Sequence, residues 1–134
     1  MAAYPQSAPL GAYKNVAAHG GVAAADPHGL ILMLLDGALQ RLSVARGCIE
    51  HGKQTEKAQL LHRVIQIVGE LRGSLDMSAG GQIASNLSEL YDYMSRRLLS
   101  AMLDNKIELL DEVSGLLREI RGAWVAIPQE ARNR

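Results

Sequence analysis

The sequence predicts an all-α protein: an antiparallel, up-down four-helix bundle preceded by a mobile N-terminal arm that carries a short helix. Four long stretches place apolar residues at spacings of three and four, the period of a helix with one buried face. Short connections separate the stretches, so neighbours in sequence should run antiparallel. No stretch sustains the alternation of period two that a strand would show. A chain of 134 residues has length for one core, not two. Its 48% hydrophobic content is enough to close that core rather than leave the chain disordered. The expected division is a flexible arm over 1–25, the bundle over 26–127 and a polar, disordered tail over 128–134.

The arm is rich in Ala, Gly and Pro, with Pro5, Pro9, Gly11, Gly20 and Gly21 interrupting it. Leu10, Tyr13 and Val16 recur every three residues, enough for one or two helical turns. Asp26-Pro27 then opens the first long helix: Asp accepts from free backbone N–H groups, and Pro has the φ the first turn needs. Ile31, Leu34, Leu35, Ala38, Leu42, Ala45 and Ile49 follow as its stripe, and Gly52 stops it. The second helix runs from about Gln54 to Leu75 on Leu61, Val64, Val68, Leu71 and Leu75, widened by Leu60, Ile65 and Ile67. A loop over 76–81 leads to the third helix, whose stripe reads Ile83, Leu87, Leu90, Met94, Leu98 and Ala101. Asn105 with Glu108 resembles a capping box for the fourth. Leu110, Val113, Leu117, Ile120, Trp124 and Ile127 continue it until Pro128, which disfavours helix at the residue before it.

Several chemistries use such bundles, and the residues argue against most of them. Lys plus Arg and Asp plus Glu are both 14, so the basic surplus of a nucleic-acid binder is missing. The densest apolar run, Leu30 to Leu35, is far too short for the ~20 residues of a membrane span. The N-terminus has no basic head with a long apolar run, so no secretory signal is expected. A di-iron centre would need Glu-x-x-His on two helices, and none occurs. No metal, cofactor or catalytic residue is expected. Cys48, the only cysteine, sits on an apolar helix and reads as a small buried thiol. Gly80-Gly81 lacks the strand and the Gly-Lys-Ser/Thr ending of a phosphate loop. The alternative function is histidine phosphotransfer through His62, with Arg63 beside it to suit a phosphate. The lysine expected one turn later is absent; Ile65 and Gln66 stand there.

What remains is an excess of apolar surface. The second helix is apolar at 60, 61, 64, 65, 67, 68 and 71, and the fourth adds Leu109 and Leu116 beside its stripe. One bundle seam needs only a face about 100° wide. The surplus suits a fifth element covering it, for which the arm with Leu10, Tyr13 and Val16 is the candidate, a groove that takes an amphipathic partner, or a meeting of three helices in a closed core. Leu60, Ile65, Ile67, Leu87 and Tyr91 are the candidate groove residues. For Tyr91, core packing and groove lining are equally compatible with the spacing. Tyr93 reads as a half-buried ring with its hydroxyl in water, Trp124 as core, and Arg96 with Arg97 as a solvated face.

The run GGQIASNLSELYDYMSRRLLSAML, residues 80–103, resembles the central signature of the flagellar secretion chaperone family FliS. Leu75-Asp76, Gly80-Gly81, Ile83-Ala84, Asn86-Leu87, Leu90 to Met94 and Arg96 to Leu99 carry the likeness. Tyr13, Pro27 to Ile31, Leu116-Leu117 and Trp124 extend it over about residues 10–127. The resemblance implies a cytoplasmic, non-enzymatic export chaperone. It would bind the disordered C-terminal segment of flagellin, prevent premature polymerisation and assist delivery to the export gate of the flagellar type III secretion apparatus. It also implies that Leu10, Tyr13 and Val16 cover part of the apolar surface when the client is absent. For Tyr13 a permanent structural contact is the other reading. A client-free homodimer is a further expectation.

Overall fold

The computed structural model describes residues 26–128. The expected arm helix, with Leu10, Tyr13 and Val16, and the tail from 129 on lie outside the described residues. Among the described residues four helices follow one another: α1 Pro27–Glu50, α2 Gln54–Gly73, α3 Met77–Leu103 and α4 Ile107–Val125. Three-residue connections, 51–53, 74–76 and 104–106, join them.

Local chemistry explains most of these boundaries. The Asp26 side chain accepts from Gly29 N at 3.1 Å, and Pro27 occupies the first helical position, as the sequence predicts. Gly52 adopts φ 70°, a left-handed conformation that glycine takes without a Cβ penalty. It lets Lys53 N donate to Cys48 O at 2.8 Å and Gly52 N to Ile49 O at 3.3 Å, a Schellman closure of α1.

The start of α4 departs from expectation. Asn105 does not cap it: the residue before α4 is Lys106, which makes no side-chain cap bond. Asn105 Oδ1 instead accepts from Lys57 Nζ at 2.7 Å. The buried ammonium of Lys57, 2% exposed, makes the stronger, charge-assisted bond. It also takes the Ala101 and Met102 carbonyls at 3.0 and 3.3 Å, so it serves the open end of α3 from the first turns of α2.

Cross-helix pairs fix the antiparallel order. Arg72 near the end of α2 reaches Ser88 and Asp92 in the middle of α3. Arg97 late in α3 reaches Glu112 early in α4. Arg46 late in α1 meets Asp111 early in α4, while Arg121 late in α4 meets Asp36 in α1. These pairs are half-exposed and contribute little individually; their value is that they agree on one register. Each helix therefore packs on two neighbours, α1 on α2 and α4, and α3 on α2 and α4.

The core runs through the middle. Ile31, Leu35, Leu42, Leu61, Val64, Leu71, Met94, Leu98, Val113 and Leu117 are at most 1% exposed. At one end, His28 and Trp124 lock the start of α1 to the end of α4. Their rings stack with centroids 5.0 Å apart and planes 9° from parallel. Trp124 Nε1 donates to His28 O, and His28 Nε2 donates to Trp124 O, both at 2.8 Å. A carbonyl only accepts, so Nε2 must carry a proton.

The stripe of α3 sits differently from expectation at its start. Ile83 is 40% exposed and Leu87 and Leu90 are half-buried, while Ala84 and Tyr91 enter the core. From Met94 onward the expected and observed stripes coincide. Burying the Tyr91 ring removes more apolar area than burying Leu90 would. α3 also begins earlier, with a turn from Met77 capped by Asp76, and breaks at Gly81.

Candidate functional site

The surplus apolar surface lies along the seams between helices. On α3, Ile83, Leu90 and Arg97 are seven apart, so they lie on one edge two turns apart. Arg97 bonds Glu112, so that edge looks toward α4. On α4, Glu112, Leu116 and Ile120 are four apart and share the facing edge. Leu87, Leu90, Leu116 and Ile120 are partly buried against the core, and Ile83 is 40% exposed. The two edges form a half-open apolar seam.

A polar clasp closes one end of this seam. Glu112 accepts from the Tyr93 hydroxyl at 2.5 Å and from Arg97 Nε at 2.8 Å. The Arg96 and Arg97 guanidiniums stand 5.9 and 5.8 Å from the Tyr93 ring centre, within cation–π reach. The Tyr93 hydroxyl is therefore bonded to a carboxylate rather than left to water, because the antiparallel register brings Glu112 opposite it. Arg96 also pairs with Asp92 one turn back, at 3.1 Å.

The bonds from Tyr93 and then Arg97 hold the Glu112 carboxyl below the usual carboxylate range, and the same bond to Glu112 raises the Tyr93 hydroxyl. A depressed carboxyl adds stability that is present above its unfolded pKa, about 4.3 for Glu, and is lost as pH falls through the lower folded value. The stability gap between the parent and Glu112→Gln should hold constant from about pH 8 to about pH 5.5 and shrink below about pH 4.3. Urea unfolding at each pH reads it; a gap that grows in acid would contradict the clasp.

A second half-open seam follows α1 and α2. Met33 and Val44, eleven apart on the outer side of α1, are 69% and 53% exposed. Leu30 and Leu34 are half-buried on the edge that Gly37 and Arg41 continue. A Cβ on Gly37 would lie 3.8 Å from Ile67 Cδ1, so this edge faces α2. Leu60 stands seven residues before Ile67 and belongs to the same edge of α2.

The residues expected to line one groove are therefore not brought together. Ile67 and Tyr91 are 2% and 0% exposed and lie in the core. Burial pushes the Tyr91 hydroxyl well above the ordinary phenol range. Leu60, Ile65 and Leu87 are half-buried. Leu60 lies on the α1 side of α2. Ile65 stands seven before Arg72, which bonds Ser88 and Asp92, so it faces α3. Leu87 lies beside the α3–α4 seam. The seam residues missed as a set are Ile83, Leu90, Leu116 and Ile120. Their signal was present as two edges spaced by seven and by four, but pairing them needs the Arg97–Glu112 contact.

Other candidates take plain positions. His62 is exposed on α2, and the adjacent Arg63 pairs with Glu70 at 3.7 Å. Cys48 is buried, 5% exposed. Among the described residues no cluster of three His, Cys, Asp or Glu could hold a metal ion, and no helix is long and apolar enough to cross a membrane.

Comparison with known proteins places the chain in a family. The family model described as flagellar protein FliS matches residues 9–131. The flagellar secretion chaperone FliS of Salmonella typhimurium is 46% identical over 121 residues, 90% of this chain and 90% of the relative. The flagellar secretion chaperone FliSB of Pseudomonas aeruginosa is 44% identical over 115 residues, 86% of this chain and 91% of the relative. The Bacillus subtilis protein of the same name as the Salmonella one is 33% identical over 111 residues, 82% of each chain. With its four-helix bundle and a match over nearly its whole length, the chain belongs to the FliS family, whose named members are flagellar secretion chaperones.

Proposed function

We propose that this protein is a cytoplasmic, non-enzymatic export chaperone that binds the disordered C-terminal segment of flagellin. It keeps that segment from premature polymerisation and assists its delivery to the export gate of the flagellar type III secretion apparatus. Membership of a family of flagellar secretion chaperones carries this reading. The half-open seams supply a physical means. A segment that packs through apolar helical faces can lay those faces against Leu87, Leu90, Leu116 and Ile120, or against Met33, Leu34 and Leu60, instead of against other flagellin copies. Ile65 adds a third, smaller contact on the α3 side of α2. Ordering the segment costs ~2–5 kcal/mol of the gross interaction energy, which leaves the client releasable.

The arm belongs to the same proposal. Leu10, Tyr13 and Val16 cover part of the apolar surface in the client-free state and compete with the client. A client-free homodimer would hide the same surface from water.

Calorimetric titration with a synthetic peptide of flagellin's C-terminal segment tests the proposal on the full chain and on a chain lacking residues 1–20. Saturable binding with a negative heat-capacity change is expected, as apolar burial requires. The shortened chain should bind more tightly. Absence of binding by both, with helical circular dichroism intact, would refute the chaperone reading of these seams.

A further inference from the structure

Residues 76–83 connect the end of α2 to the main run of α3 without giving a side chain to the core: burial stops at Leu75 and resumes at Ala84. The segment nonetheless has a structure of its own. Asp76 closes a single turn, accepting from Ala79 N at 2.9 Å through its carboxylate and from Gly80 N at 2.7 Å through its carbonyl. The Ser78 hydroxyl lies 3.0 Å from the same carboxylate. Gly81 then leaves the helix at φ 55°, ψ −131°.

A Cβ on Gly81 would meet nothing within 4 Å. The glycine is therefore not there to make room; it supplies a backbone conformation that L side chains rarely adopt. A turn with no side chain in the core and a glycine pivot is the kind of unit that opens at low free energy.

Its side chains suit an apolar contact. Met77 and Ile83 are 51% and 40% exposed, and Ile83 is the first residue of the α3 edge of the seam. Asp76, bound into the turn, is the only charged residue from 76 to 83. Bringing Met77 down on an apolar partner therefore desolvates no free charge, and a thioether adapts to irregular surfaces.

We infer that residues 77–83 form a hinged flap, pivoting at Gly81, that closes Met77 and Ile83 over a client segment lying in the α3–α4 seam. This rests on the client-binding reading above. The flap adds a holding step: the client enters an open seam and is retained when the turn closes over it.

Hydrogen exchange, followed by mass spectrometry on the full chain alone and saturated with the flagellin C-terminal peptide, tests the flap directly. Amides of 77–83 should exchange rapidly in the unbound chain, through low-energy opening of the turn, and at least about tenfold more slowly in the complex. Gly81→Ala, which favours negative φ and fuses the turn onto the helix, should speed peptide dissociation about tenfold with little change in association. Gly69→Ala, at an open helical position on α2, should leave dissociation unchanged. Protection over 87–98 and 112–120 with none at 77–83 would overturn the flap and leave the client reading standing. No peptide binding at all would overturn both.

Discussion

Replacing Trp124 with alanine should lower folding stability by about 3–5 kcal/mol, the range for removing a buried tryptophan. Trp124 is 1% exposed and fills the end of the core where α1 begins and α4 ends. Its loss removes the stack on His28 and the donor to the His28 carbonyl together. It also leaves a cavity between elements whose anchor residues stand 96 apart in sequence. Trp124→Phe separates the contributions. It keeps an aromatic ring in place but removes the indole donor to the His28 carbonyl, which keeps its bond within α1, for an expected loss of about 0.5–1.5 kcal/mol. A domain of ordinary stability holds about 5–15 kcal/mol, so the alanine variant should fold but melt much earlier. Trp124 is the only tryptophan, so urea unfolding must be followed by circular dichroism rather than fluorescence. An alanine variant within about 1 kcal/mol of the parent would mean that this end of the bundle is held elsewhere.

How far the sequence was legible follows from how far each determinant reaches along the chain. The start of α1 was readable because Asp26, Pro27 and Gly29 settle it within four residues. Gly52 was readable for the same reason. Asn105 was misread because its partner is Lys57, 48 residues away, and a local capping rule cannot see a buried ammonium competing for the same oxygen. On α3, adjacent stripes through Leu90 and Tyr91 differ by one residue, about 100° of rotation, and only the packed neighbours decide between them. The groove residues scattered for a related reason. Ile65 and Ile67 are two apart, about 200° around α2, so nearness in sequence put them on opposite flanks. The family likeness escaped these limits because it rests on a continuous motif, residues 80–103, whose match does not require knowing where each side chain points.

The same separation explains why the surplus hydrophobicity does not collapse into the core. Charged pairs occupy the α1–α4 seam at both ends, Arg46 with Asp111 and Arg121 with Asp36. Among the described residues the α3–α4 seam has its ion pair at one end, at Glu112. Beyond that clasp, Leu116 and Ile120 face Leu90 and Ile83 with no salt bridge among the described residues to seal them. An apolar stretch with no ion pair across it, bordered by a polar clasp, is where an amphipathic partner gains most from leaving water.

The second large effect is expected at Lys57. Changing it to methionine keeps the aliphatic stem and removes only the ammonium, and stability should fall by about 3 kcal/mol, since hydrogen bonds to charged groups contribute ~1.5–3 kcal/mol each. All three ammonium protons have acceptors: the Ala101 and Met102 carbonyls and Asn105 Oδ1. The two carbonyls belong to the last turn of α3, where no intrahelical donor remains. A cation there also favours the negative end of the α3 dipole. Two terms oppose it: the desolvation of a buried charge, and its position near the positive end of α2. The expected loss requires that the three bonds at the end of α3 outweigh both terms. The test is a double-mutant cycle with Asn105→Ala under urea unfolding. A coupling of about 1 kcal/mol or more between the two sites is expected, as for groups in one hydrogen-bond network. The α3–α4 turn should also exchange its amides faster in Lys57→Met, because the tie to α2 is gone. A methionine variant as stable as the parent would mean that the desolvation penalty cancels the three bonds, leaving Lys57 neutral to the fold.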